Sequence, residues 1–119
     1  GDCRPRCRPP FPGARRVSAL IYTVFANRAD ARAVSARLLD EKLVACANLL
    51  GPIEAMFEWE GERAECEEFA VLFKTHEARL DDAVERLEAL HPYDTPAILG
   101  WRAEAHGAAT ADWLAGLTG

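Results

Sequence analysis

The order of apolar and polar residues divides the chain into segments of distinct period. Residues 17–26 (Val-Ser-Ala-Leu-Ile-Tyr-Thr-Val-Phe-Ala) are rich in β-branched and aromatic side chains, which pack well on a pleated surface, and predict a buried first strand. Asn27 offers an N-cap for the next element, with Asp30 three positions on, where a carboxylate favours a helix N-terminus. The predicted helix runs to about Lys42, turning Ala31, Val34, Leu38 and Leu39 inward and leaving Arg28, Arg32, Arg37, Asp40 and Glu41 in water.

The longest feature is a hairpin over residues 44–75. From Ile53 the pattern alternates: Ile53, Ala55, Phe57 and Trp59 on one side, Glu54, Met56, Glu58 and Glu60 on the other. Such a period of two marks a strand with one buried face. Glu60-Gly61 supplies a turn, and residues 69–73 (Phe-Ala-Val-Leu-Phe) return as a continuous apolar run suited to a central strand. Gly51-Pro52 interrupts the first arm. Proline donates no ladder hydrogen bond, so this arm is an edge strand with a bulge or bend there. At ~3.3 Å per residue, residues 44–59 reach roughly 50 Å when extended, against ~17–20 Å for an ordinary strand. The far half, with Phe57 and Trp59, must project beyond its own sheet. Its apolar residues need a surface to bury against, and another copy of the same chain provides one.

Residues 77–90 carry the clearest helical signal, with Leu80, Ala83, Val84, Leu87 and Leu90 on one stripe and Pro92 as the stop. Residues 95–104 read as a fourth strand through Ile98, Leu99 and Trp101. Gly107 opens a short final helix whose Trp113, Leu114 and Leu117 turn toward a partner surface. The order is β-α-β-β-α-β plus a C-terminal helix. This is the ferredoxin-like split βαβ plan of an α+β fold, one antiparallel sheet with two helices on one face. The other sheet face is left bare, and a trimer with sheets facing a common axis would cover it.

Composition adjusts this picture at its margins. A chain of 119 residues, half of them hydrophobic, forms one globular domain with a single modest core. No apolar run approaches the ~20 residues that cross a bilayer as a helix, and no membrane partner is expected. Residues 1–16 hold four of the seven prolines, five arginines against Asp2, and the Cys3/Cys7 pair, without periodicity. They read as a disordered tail, or as vector or upstream coding sequence, ahead of a folded domain over residues 17–119. A secretory signal ending near Ala26 would remove the first strand. The tail's balance of +4 within an overall −5 leaves the body near −9, a charge that repels nucleic acid and attracts cations or basic partners.

Three groups of side chains suggest chemistry, each with a plain structural reading beside it. Cys46 lies at the hairpin base, across from about Thr75 or His76. A thiolate with an imidazole suits Cu(I) or Zn(II), while a small buried hydrophobe is the simpler account. Cys66 falls across from about Ala55, too far along the strands to pair with Cys46, and free thiols suit a reducing compartment. In His91-Pro-Tyr-Asp-Thr-Pro96, His91 can bind a metal and Tyr93 a ligand, or the segment is a rigid turn lining an intersubunit cleft. The glutamates at 54, 58, 60, 62, 65, 67 and 68 can hold a hard cation weakly, or form a solvated edge that discourages aggregation. No nucleophile elbow, phosphate-binding glycine loop or HExxH helix is present, so no enzymatic activity is expected.

Five stretches resemble the divalent-cation tolerance protein CutA family: Lys42-Leu-Val-Ala-Cys-Ala-Asn48, Phe57-Glu-Trp-Glu-Gly61, Phe73-Lys-Thr75, His91-Pro-Tyr-Asp-Thr-Pro96 and Asp112-Trp-Leu114. Together they span about residues 17–117. The resemblance implies a ferredoxin-like homotrimer similar to PII signalling proteins, cytoplasmic in bacteria. It also implies tolerance of copper and other divalent cations, with no obligatory cofactor. Some members place a copper site on a first-strand cysteine and two histidines before the Pro-Tyr. Here those positions are Tyr22 and Leu90-His91, so only His91 remains. The metal candidates are therefore His91, Cys46 and His76. The cleft candidates are Tyr93, Trp59 and Lys74, and the trimer contacts are Phe57, Trp59 and Trp113. An alternative function is a PII-like signalling or scaffold trimer that holds a small metabolite or partner protein in the cleft.

Overall fold

A computed structural model describes residues 17–118. The tail over residues 1–16, expected to be disordered, lies outside them with Cys3 and Cys7. In order, the chain forms β1 (Ser18–Phe25), α1 (Arg28–Asp40), β2 (Cys46–Trp59), β3 (Glu62–His76), α2 (Glu77–Leu90), β4 (Ile98–Arg102), α3 (Ala108–Ala115) and a short 3₁₀ turn (Gly116–Thr118). The sheet order β2-β3-β1-β4 is antiparallel throughout, which makes β2 an edge as the proline required.

The core lies between one sheet face and the helices. Ala19, Ile21 and Phe25 of β1 alternate inward and meet Val71 and Phe73 of β3 under Ala31, Val34 and Leu38 of α1 and Leu80, Ala83 and Leu87 of α2. Two buried hydroxyls are satisfied by carbonyls. Thr23 donates to Ala97 at 2.8 Å and Thr75 to Leu43 at 2.7 Å. Gly100 faces α2 closely: a Cβ there would sit 2.9 Å from Leu80 Cδ1 and 3.3 Å from Val84 Cγ2, so the Leu80 side chain would have to shift. Helix α2 therefore lies close against β4.

Helix ends follow local chemistry. Asn27 caps α1 by accepting the Asp30 amide at 2.8 Å. The helix stops at Asp40, short of the predicted Lys42. Lys42 turns left-handed (φ 60°), and the amides of Lys42 and Leu43 return to Leu39 and Leu38, a Schellman closure. Leu39 is exposed rather than inward, while Ser35 takes the buried position. Glu41 then accepts hydrogen bonds from Arg37 and Arg86, joining α1 to α2. Two further expectations are corrected. The fourth strand is only Ile98–Arg102, and Leu114 is buried within its own chain, leaving Trp113 outward on α3.

The hairpin is as long as its pattern required. β1 pairs with β3 only from Phe69 to His76, so β2 and β3 continue beyond as a two-stranded arm. Trp59 faces Glu62 across a two-residue Glu60-Gly61 turn, both residues at positive φ (52° and 81°), which matches the twist of the strands. The register slips between Leu49 and Gly51, with Gly51 at φ 106°. The extra residue belongs to β2, so β3 keeps its alternation through the junction. The protein measures 52 × 26 × 25 Å as a result.

Candidate functional site

The junction where the arm leaves the sheet holds a linked group of buried and half-buried polar side chains, built from the end of α2. Pro92 cannot continue the helix, and His91 becomes its C-cap, its own amide bonding to Leu87. The imidazole lies flat on Phe25, with centroids 4.5 Å apart and planes 4° from parallel. Nε2 lies 2.8 Å from the Val24 carbonyl oxygen, and Nδ1 lies 3.2 Å from the Tyr93 amide nitrogen. A carbonyl only accepts and an amide N–H only donates. His91 is therefore the neutral Nε2–H tautomer, with both nitrogens occupied. Burial pushes its pKa below the ordinary imidazole value, against opposing pulls from the Val24 hydrogen bond, Asp30 and Glu68.

Tyr93 carries the turn onto the arm. Its hydroxyl donates to Glu68 Oε2 at 2.8 Å. Burial first, and then the Glu68 carboxylate, push the phenol pKa upward, so it remains a proton donor at neutral pH. Cys66 sits two residues further out, opposite Ala55, and its exposed thiol is also shifted upward by local desolvation and Glu68. Glu68 is the residue that sequence reasoning missed, grouped as it was with the solvated glutamates. One signal was available. Alternation along β3 places Glu68 on the side of Ala64 and Cys66, whereas Glu65 and Glu67 fall on the wet side.

The predicted metal ligands are not brought together within the chain. His76 caps α2, its Nδ1 accepting the Ala78 amide at 3.0 Å, which leaves the proton on Nε2. While these bonds stand, neither His76 nor His91 offers a free lone pair to a metal. They also lie at opposite ends of β1, since His76 pairs with Ser18 while His91 binds Val24. Six residues of strand separate those points, roughly 20 Å. Cys46 stands opposite Lys74, not Thr75 or His76, and its thiol is unpaired. Among the described residues, no three His, Cys, Asp or Glu side chains converge on a metal position.

The cleft candidates are dispersed in the same way. Trp59 stands beside Glu62 at the arm tip, Tyr93 reaches Glu68 at its base, and Lys74 lies six residues further along β3. Trp59 and Lys74 are thus about 40 Å apart at ordinary strand rise. The apolar surfaces expected to meet a partner are open: Phe57, Trp59 (55 % exposed) and Trp113, with Leu99 (68 %) and Trp101 (44 %) on the sheet face away from α1 and α2.

Comparisons with known proteins agree with this architecture. Residues 19–116 match the family model described as CutA1 divalent ion tolerance protein. The chain is 36 % identical over 95 residues to the divalent-cation tolerance protein CutA of Thermotoga maritima, covering 80 % of this chain and 93 % of that protein. A crystal structure of the divalent ion tolerance protein CutA1 from Ehrlichia chaffeensis superposes with a TM-score of 0.80 at 33 % identity, covering 86 % of this chain and 95 % of that one. The periplasmic divalent cation tolerance protein CutA of Archaeoglobus fulgidus gives 0.79 at 30 % identity, covering 86 % and 99 % respectively. On its strand order, its long hairpin and these matches, the chain belongs to the CutA1 divalent ion tolerance family.

Proposed function

We propose that this protein acts in divalent-cation tolerance as a homotrimer, and that it contacts its ion, copper or another thiophilic metal, where subunits meet. The observation that carries this reading is the dispersal of donors and cleft residues along a molecule with two uncovered apolar surfaces. The arm exposes Phe57 and Trp59, and the sheet face exposes Leu99 and Trp101, each beyond two-fifths of its area. Apolar surface of this size is ordinarily covered by a partner. Residues that cannot meet within one chain become neighbours only when copies pack.

With both predicted histidines committed to backbone hydrogen bonds, Cys46 is the candidate donor still open. A trimer supplies three such thiols. Soft thiolate donors favour copper and zinc over magnesium or calcium. The reading places the protein in the cytoplasm, where Cys46 and Cys66 stay reduced, and assigns it no catalytic step.

Titration with Cu(I), Cu(II) and Zn(II), followed by calorimetry and native mass spectrometry, tests the metal assignment. Cys46→Ser is expected to abolish binding tighter than that of a surface carboxylate, while Cys66→Ser leaves it unchanged. Undiminished affinity in Cys46→Ser would contradict the assignment.

A further inference from the structure

We draw no further inference here: the strongest candidate, the side-chain cluster at the α3 end of the sheet where the Ser18 hydroxyl lies 2.9 Å from His106 Nδ1 beside His76, carries nothing, because Ser18 is buried, His76 caps α2, and nothing in the structure shows what the one exposed imidazole, His106, would meet.

Discussion

β3 is one unbroken strand in two environments, and the contrast between its halves explains most of the molecule. From Phe69 to His76 it is hydrogen-bonded on both edges, by β1 and β2, and Val71, Phe73 and Thr75 are fully covered by the helices. From Glu62 to Glu68 it has β2 alone, and no helix lies over it. A two-stranded ribbon is at best marginally stable in water. The arm therefore depends on something besides its ladder: Tyr93 and Glu68 at its base, and a covering surface along its apolar side. The body half buries its apolar side chains, while the arm half is mostly acidic and leaves Phe57 and Trp59 of the paired β2 exposed.

That contrast is broken most severely from the body side. Phe73→Ala removes a fully buried ring and is expected to cost about 3–5 kcal/mol by chemical denaturation. The loss should be present at every protein concentration. Trp59→Ala should behave oppositely. Its expected effect is a loss of about 2 kcal/mol in association, roughly 30-fold in the binding constant. It should leave the unfolding of dilute chains unchanged.

The junction should respond by smaller amounts. Tyr93→Phe strips Glu68 of its hydrogen bond and is expected to cost about 1–1.5 kcal/mol, and to loosen the arm first, seen as faster amide exchange in residues 62–68. Acid tests His91 with a defined sign. Its native pKa is held down by burial, so the unfolded chain binds the extra proton below about 6.5. Stability from this group is full above that value and declines as pH falls beneath it. His91→Gln is expected to flatten the profile between about pH 5 and 6.5, above the range where most carboxylates titrate. An unchanged profile would show that His91 is not the titrating group.

The fold was largely legible because its signals are local. Period-two alternation from Ile53, the 3.6-residue stripe of Leu80 to Leu90, the Asn27 cap and the Gly51-Pro52 break each act within a few residues, and all appear in the structure. The site was less legible because it depends on pairing. Nothing near His91 in sequence reveals that the Val24 carbonyl occupies its Nε2, or that Phe25 lies under its ring. His76 is a different case: its bond to the Ala78 amide is local, but a histidine ahead of a helix reads equally as a cap or a ligand. Leu114 failed differently. An apolar residue on a short amphipathic helix serves its own core or a partner equally well, and only the packing of α3 on the sheet decides.

The central claim is that the arm and the open sheet face are dry because copies of the chain cover each other. Sedimentation equilibrium of the full chain at micromolar concentration tests it most directly. The expected result is a single species of about three times the 13.1 kDa chain mass, dissociated by Trp59→Ala. A folded monomer at that concentration, with Trp59 as accessible to quenchers as its 55 % exposure implies, would contradict it.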